Sequence, residues 1–221
     1  MGEARLNEKS DERAASNTMP PVRLFAGLMV APEIARELVR LAACLEGPSV
    51  RLVAVGDVHV TLVPPWRDAS VPAAIEKLRL AARACEAFWL RFHHVGYGPD
   101  PGRPRMLWVD CAAGEQIATL RTSLLQAYGQ MDERRFRPHV TLARIRGNGR
   151  RIARRHPIDK ALLFTQHVET VELFQSPPPG KTRYRILASA LLGESARDVA
   201  TRPFSIDDPG WAPPDPHGNQ V

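Results

Sequence analysis

Apolar and polar positions in the central part of the chain follow two different periods. Residues 22–30 form a short, mostly apolar run, which predicts a buried strand. After the proline at position 32, Ile34, Leu38 and Leu41 recur every three to four residues, the spacing that places side chains on one face of a helix. The pattern therefore begins with a strand followed by an amphipathic helix.

Similar patterns continue as far as residue 191. Helices are predicted at 32–45, 73–87 and 115–128, and strands at 22–30, 50–55, 57–63, 88–95, 106–111, 137–144, 170–174 and 184–191. Residues 1–21 are polar and lack apolar periodicity, which indicates a disordered leader. Residues 194–221 are rich in Pro, Gly and Asp, which indicates a disordered tail, so the folded domain is expected to span 22–193.

One arrangement of these elements occurs twice. A strand, a helix and then the tetrapeptide His-Val-Thr-Leu lead first to His59 and, 80 residues later, to His139. The repetition indicates a duplicated α+β fold in which each copy delivers the same four residues. A single such tetrapeptide carries little information, because half-exposed strands often contain His and Thr, but two copies after the same pattern indicate shared chemistry.

The side chains of each tetrapeptide are expected to divide between the two faces of a strand. Because alternate residues in a strand point the same way, His59 and Thr61 share one face, as do His139 and Thr141, while the Val and Leu residues face the core. If the two copies face each other across a cleft, two imidazoles and two hydroxyls converge on a volume the size of a phosphate.

This set of groups suits the opening of a cyclic phosphodiester. The reaction needs a base that deprotonates water and an acid that protonates the departing sugar oxygen, and imidazole can serve as either near neutral pH. Threonine hydroxyls can donate hydrogen bonds to the non-bridging oxygens, where negative charge accumulates in the transition state. Such a mechanism uses no metal ion and no covalent nucleophile, so neither a metal nor a cofactor is expected.

Composition narrows the setting of this chemistry. With 30 Lys and Arg against 24 Asp and Glu the net charge is +6, which suits an anionic partner such as nucleic acid. No apolar stretch is long enough to span a bilayer, and the first residues lack the apolar core of a secretory signal, so a soluble cytoplasmic protein is expected. Cys44, Cys85 and Cys111 are too scattered for a disulfide framework or a zinc site and are expected in the core.

The segments around the two histidines resemble a known family. RFRPHVTLAR at 135–144 and HVTL at 59–62 resemble the paired motifs of the two-histidine (2H) phosphoesterase superfamily, in particular the bacterial RNA 2′,3′-cyclic phosphodiesterases, also called 2′-5′ RNA ligases. The resemblance extends over 22–193 and includes RLFAGL near the beginning and the LWVD strand. It implies a bilobal α+β fold in which antiparallel sheets line a central groove and the helices lie outside.

The resemblance also implies roles for the four motif residues. His59 corresponds to the proton donor to the leaving oxygen and His139 to the base that activates water, with Thr61 and Thr141 as the phosphate-binding hydroxyls. The implied reaction converts a 2′,3′-cyclic phosphate at an RNA end into a 2′-phosphate, and its slow reverse joins RNA ends through a 2′-5′ linkage. The implied partner is an RNA or oligonucleotide with a 2′,3′-cyclic phosphate terminus, and we expect a monomer that binds no membrane.

Three further residues are candidates for substrate binding. Arg144 matches a basic position often found after the second motif, and Tyr184 matches a late aromatic position of the family. After the first motif the chain departs from the family by reading Pro64, Pro65 and Trp66, and the two prolines are expected to end the strand. Trp66 either stacks on a nucleobase or covers the edge of the core.

Several alternatives stay open at this point. The same active-site residues would serve a phosphodiesterase for a small cyclic nucleotide or a 2′-5′ oligonucleotide, and a basic groove without catalysis would make the chain an RNA-binding module. A metal hydrolase would need further His or carboxylate groups at ligand spacing, which the sequence does not show. The arginines after the second motif either track a phosphate backbone or form a solvated face: Arg144, Arg146, Arg150, Arg151, Arg154 and Arg155.

Overall fold

The computed structural model describes residues 20–45, 47–177 and 183–193. The leader predicted for 1–21 lies outside the described residues except for its last two positions, and the tail predicted for 194–221 lies entirely outside them. The described residues therefore cover most of the predicted domain, residues 22–193.

Nine strands and four α-helices make up the described part of the chain. The strands are β1 (Val22–Met29), β2 (Val50–Leu52), β3 (His59–Asp68), β4 (Phe88–Gly98), β5 (Met106–Ala112), β6 (His139–Ile145), β7 (Lys160–Val168), β8 (Thr170–Gln175) and β9 (Arg185–Leu191). The helices are α1 (Pro32–Ala42), α2 (Val71–Arg83), α3 (Glu115–Ala127) and α4 (Gly149–Arg155), and a single 3-10 turn covers Val55–Asp57.

All nine described strands join into one antiparallel sheet. Its order is β7-β4-β5-β6-β3-β1-β8-β9, and β2 pairs with β6 beside this path. The predicted antiparallel α+β architecture is therefore confirmed. The resemblance implies separate sheets, whereas the structure has a single sheet, because the pair Val60↔Val140 joins β3 to β6. Since β3 and β6 are the strands that begin with the two histidines, this join brings the two tetrapeptides together.

The sheet order divides the strands into two halves around this join. The first half contains β3, β1, β8 and β9, which come from both ends of the domain, and the second contains β6, β5, β4 and β7, which follow one another along the chain. Helix α1 follows β1 but contacts β6, and α3 follows β5 but contacts β3. Each half thus contributes a helix to the histidine strand of the other half, while the bilobal duplication itself stays a prediction.

The apolar residues of the two tetrapeptides belong to the hydrophobic core. Val60, Leu62, Val140 and Leu142 are each at most 1% exposed, as the alternation predicts. Full burial of one aliphatic side chain contributes about 1.5–3 kcal/mol, so these four residues determine which face of β3 and β6 turns inward. The opposite face is left for the histidines and threonines.

The prediction that Pro64 and Pro65 end the strand is wrong. β3 continues through both prolines to Asp68. Its register against β1 passes from Leu24↔Trp66 to Ala26↔Val63, so β3 carries one extra residue at the prolines. Proline is tolerated at such a bulge, because a bulged residue need not donate a hydrogen bond to the neighbouring strand.

Three smaller features also differ from the sequence pattern. Cys44, expected in the core, is exposed after α1, whereas Cys85 and Cys111 are buried. The pattern does not predict β7 or α4; the latter begins where the Asn148 side chain accepts a hydrogen bond from the backbone N–H of Arg151 (3.0 Å).

Within the described ranges, no helix is long and apolar enough to cross a membrane.

Candidate active site

The two histidine motifs lie side by side at the centre of the sheet. β3 and β6 are antiparallel, and the valines that follow the two histidines are paired with each other. The flanking side chains of both strands therefore emerge on one face. His59, Thr61, His139 and Thr141 line a single cavity of about 90 Å³. The structure thus brings together the four side chains that the alternation of each motif identifies.

This cavity is small beside the roughly 300–1,000 Å³ of an ordinary small-molecule pocket. Its size suits one phosphate-sized group. Two of the three further candidates, Arg144 and Tyr184, are also part of its wall. The remaining lining residues are Val53, Asp57 and Met106.

A β-bulge directs Arg144 into this cavity. Strict alternation would place Arg144 on the face opposite Thr141. The pairing with β5, however, passes from Thr141↔Trp108 directly to Ala143↔Leu107, which leaves one extra residue on β6. A bulge of this kind shifts the alternation by one position and turns the following side chains to the other face.

The first motif carries a bulge at the equivalent place. The register between β3 and β1 shifts between Thr61 and Val63. The position that corresponds to Arg144 is occupied in β3 by Pro64, which is half-buried. The cavity therefore receives a guanidinium from the second motif and none from the equivalent position of the first.

Both imidazoles are anchored in the same way. Nδ1 of His59 lies 2.7 Å from the backbone carbonyl of Asp57, and Nδ1 of His139 lies 2.8 Å from the carbonyl of Arg137. Because a carbonyl oxygen can only accept a hydrogen bond, each Nδ1 must carry the proton and donate it. This fixes the tautomer and leaves Nε2 of each ring as the nitrogen that can exchange a proton with a ligand.

Aromatic rings surround His59. Its ring centroid lies 5.0 Å from that of Phe25, 5.5 Å from Phe174 and 5.2 Å from Tyr184. Such rings exclude water from one side of the imidazole and hold its plane in place. Tyr184 is therefore both a wall of the cavity and a packing partner of the first histidine.

Different residues support His139. The Trp108 ring lies 4.6 Å from the imidazole, and the guanidinium of Arg137 lies 4.7 Å above the Trp108 ring. Arg137 donates two hydrogen bonds to the carboxylate of Asp110, from Nε (2.7 Å) and from Nη2 (2.8 Å). The residue whose carbonyl orients His139 is thus held by a buried carboxylate.

Burial is the largest influence on both imidazoles and lowers the pKa of His59 and of His139. In each case the hydrogen bond to the backbone carbonyl acts in the opposite direction and raises the pKa. The positive charge of Arg144 lowers both values further, whereas the charge of Asp110 raises that of His139. An anionic group in the cavity would raise the pKa of both imidazoles.

The segments LWVD and RFRPHVTLAR contain Asp110, Arg137 and Trp108, but the sequence assigns none of the three a role in the site. The available signal is a carboxylate within an apolar strand: Asp110 is 6% exposed, and a buried charge requires a partner. Asp57, which is 9% exposed, is a second such case, since its Oδ1 accepts a hydrogen bond from the backbone N–H of Tyr184 (3.3 Å). Both carboxylates fix a segment that carries a cavity residue.

Trp66 does not reach this site. Its side chain is 7% exposed, its ring centroid lies 4.3 Å from that of Tyr128, and its indole N–H donates to Asp68 (3.0 Å). In this structure the ring is therefore turned into the core rather than toward the cavity, because the two bulges of β3 together leave Trp66 on the same side as Val60 and Leu62. Of the two interpretations, the structure supports a Trp that covers the core.

Of the arginines after the second motif, Arg144 lies in the cavity, and four others belong to α4. Among the residues that the structure describes, no three His, Cys, Asp or Glu side chains are grouped as ligands of a metal ion.

An antiparallel sheet that presents two carbonyl-anchored imidazoles and two threonines to one cavity is the arrangement of a two-histidine phosphoesterase. Comparison with known families agrees. The chain belongs to the 2′-5′ RNA ligase superfamily, whose family model matches residues 30–151 and so includes both histidine motifs. The family resemblance of the motifs is thereby confirmed.

Two curated relatives carry the same name. The chain is 26% identical over 136 residues to the RNA 2′,3′-cyclic phosphodiesterase of Archaeoglobus fulgidus, a match that covers 60% of this chain and 77% of that protein. It is 35% identical over 86 residues to the RNA 2′,3′-cyclic phosphodiesterase of Aeropyrum pernix, which covers 36% of this chain and 49% of that protein.

Solved structures share the fold. A protein of Thermus thermophilus superposes with a TM-score of 0.63 at 21% identity, covering 77% of this chain and 98% of that one. LigT of E. coli in its apo form gives a TM-score of 0.60 at 24% identity, covering 80% of this chain and 100% of LigT. At this level of identity the likeness establishes the common architecture.

Proposed function

We propose that this phosphoesterase hydrolyses 2′,3′-cyclic phosphates at RNA ends to 2′-phosphates. The observation that carries the proposal is the pair of imidazoles, each with Nδ1 bonded to a carbonyl, around a cavity of phosphate size. The names of the two archaeal relatives support the same substrate class. A binding module without catalysis has no need of two histidines held in one tautomer.

In the proposed mechanism His139 is the base and His59 the acid. Nε2 of His139 takes a proton from a water molecule, and the oxygen of that water forms a new bond to phosphorus. The bond from phosphorus to O3′ of the ribose breaks in line, and Nε2 of His59 protonates the departing oxygen. The product carries a 3′-hydroxyl and a 2′-phosphate, and both histidines return to their initial states by proton exchange with solvent.

The ionisation states that this mechanism needs follow from the surroundings of the rings. Burial lowers the pKa of His139, which keeps it neutral and able to accept a proton. His59 must be protonated, although burial lowers its pKa in the free enzyme. The negative charge of the cyclic phosphate opposes this effect, so substrate binding favours the protonated acid.

Thr61, Thr141 and Arg144 are proposed to hold the non-bridging oxygens. Their positions on the cavity wall allow hydroxyl and guanidinium donors to face the charge that develops at phosphorus. With an RNA 5′-hydroxyl in place of water, the same acid–base pair would join two RNA ends through a 2′-5′ linkage. Neither reaction needs a metal ion in this scheme.

The test is incubation of the protein with an RNA that ends in a 2′,3′-cyclic phosphate, in excess chelator, followed by identification of the terminal phosphate. We expect a 2′-phosphate, with the His59→Ala/His139→Ala double variant as the inactive control. A product that carries only a 3′-phosphate would overturn the proposed regiochemistry. Loss of activity in chelator would overturn metal independence, and inactivity on every cyclic nucleotide would overturn the function.

A further inference from the structure

A second cavity, of about 230 Å³, adjoins the catalytic one. The two cavities share Val53, Asp57, Arg144 and Tyr184 as lining residues. A ligand whose phosphate occupies the first cavity can therefore extend directly into the second. The second cavity is also the larger of the two, so it has room for a second phosphate and for part of a sugar.

Positive charge is concentrated around this second cavity. Arg51 and Arg183 line it together with Arg144, whereas Asp57 is the acidic residue among its lining side chains. The carboxylate of Asp57 already accepts the N–H of Tyr184. The cavity is lined by three guanidinium groups and one carboxylate, so its charge favours an anionic ligand.

The position of two of these arginines strengthens this argument. Arg51 of β2 and Arg144 of β6 are directly opposite each other in the sheet. Opposite positions of adjacent strands hold two side chains close together. Arg is well suited to bind phosphate through two parallel hydrogen bonds, so two neighbouring guanidinium groups can hold one phosphate between them.

We propose that this second cavity binds the 5′-phosphate of the nucleotide whose 2′,3′-cyclic phosphate occupies the catalytic cavity. The inference rests on the proposed function and specifies its substrate. In an RNA chain this 5′-phosphate is the phosphodiester that leads to the preceding nucleotide, so the enzyme selects RNA ends over nucleoside cyclic phosphates. The apolar side chains of Leu52 and Ala54, which also line the cavity, offer a surface for the ribose.

The kinetic test compares three substrates that differ at the 5′ position. They are adenosine 2′,3′-cyclic phosphate, its 5′-phosphorylated form, and the dinucleotide ApA with a 2′,3′-cyclic phosphate end. We expect kcat/KM to be about tenfold or more higher for the second and third than for the first, since one charge-assisted contact supplies a factor of this size.

Variants locate the effect in this cavity. In Arg51→Gln and Arg183→Gln the advantage of the 5′-phosphate should fall by about tenfold, while kcat/KM for adenosine 2′,3′-cyclic phosphate should change by less than about threefold. Arg36→Gln, on the exposed side of α1, removes the same charge away from both cavities and should preserve the advantage. All three arginines are exposed, so these variants should fold.

A binding measurement separates this inference from the proposed function. Calorimetry should show that adenosine 2′,5′-bisphosphate binds the wild-type protein about tenfold or more tightly than adenosine 2′-monophosphate, and that Arg51→Gln and Arg183→Gln remove the difference. Equal affinity for the two nucleotides, or a preference that both variants retain, would overturn the subsite. Preferential binding of the bisphosphate by a protein inactive on all three substrates would support the subsite and reject the proposed reaction.

Discussion

Asp110 holds Arg137 through two parallel hydrogen bonds, and the carbonyl of Arg137 in turn fixes Nδ1 of His139. The carboxylate is buried and lies directly across β5 and β6 from the histidine. Its negative charge raises the pKa of His139. Asp110 is thus a positioning residue for the proposed base, acting on both the orientation of the imidazole and its proton affinity.

Replacement of Asp110 by Asn tests this role. Asp110→Asn keeps the shape of the side chain but removes the charge, so we expect a fall in kcat of about tenfold from looser positioning of His139. The pKa of His139 should also fall, which moves the acidic limb of the pH–rate profile to lower pH. Asp100→Asn, in an exposed turn, is the matched control. An unchanged pH profile would show that Asp110 is merely structural.

The roles of the two histidines can be separated by the leaving group. His59→Ala and His139→Ala should each lower the rate by about 10²–10⁴ on a natural cyclic phosphate. A substrate with an activated leaving group hardly needs an acid, so it should restore the rate of His59→Ala and leave His139→Ala slow. Rescue of His139→Ala instead would exchange the two assignments.

The threonine hydroxyls are predicted to act on the transition state. Thr61→Val and Thr141→Val keep the branched shape that suits a strand but remove the donor, and each should lower kcat by about 10²–10³ with an unchanged fold. Thr122→Val should be without effect, because the Thr122 hydroxyl donates to the carbonyl of Ala118 on the exposed side of α3. Wild-type kinetics in both cavity variants would place the phosphate elsewhere.

Protein stability should depend on the histidines at mildly acidic pH. Because burial lowers the pKa of both imidazoles below the ordinary value of 6.5, the unfolded chain binds more protons than the folded protein in the window below that pH. Stability therefore falls as the pH drops through this window. The melting temperature of the wild type should decrease between about pH 7.5 and 5.5, and His59→Gln should show a smaller decrease. An equal decrease in both proteins would contradict this account.

Gly27 provides a test of the packing beneath the first motif. A Cβ atom at this position would lie 2.4 Å from the backbone oxygen of Val60, the residue that joins the two halves of the sheet. Gly27→Ala should therefore lower the free energy of unfolding by about 1–3 kcal/mol, measured by denaturant titration. Gly56→Ala is the control, since a Cβ atom there would have no neighbour within 4 Å among the described residues. Equal stability of the two variants would show that the strands adjust without cost.

Much of the site follows from local sequence. The alternation in His-Val-Thr-Leu correctly assigns Val60 and Val140 to the core, because successive side chains of a strand point to opposite faces. The α1, α2 and α3 segments are predicted to within a few residues at their beginnings. The proximity of the two motifs could be predicted only from their repetition, because the sequence gives no direct indication of a contact between them.

Other features depend on partners that are distant in the sequence. The direction of Arg144 is set by an extra residue in β6 relative to β5, and alternation within β6 gives the opposite face. The continuation of β3 through Pro64 and Pro65 likewise depends on a bulge against β1. Trp66 is buried because Tyr128, which follows α3, supplies a surface for its ring. Each of these outcomes is decided by a neighbouring element that local patterns do not identify.

The order of the strands has a consequence for how the protein acquires activity during synthesis. The second half of the sheet is contiguous in the chain, so its strands can pair as soon as they are made. β1 must wait for β8, where Phe25 stacks on Phe174, and closing so long a loop makes this pairing slow. Because the wall of the cavity also includes Tyr184, a nascent chain holds both histidines well before it holds a complete catalytic site.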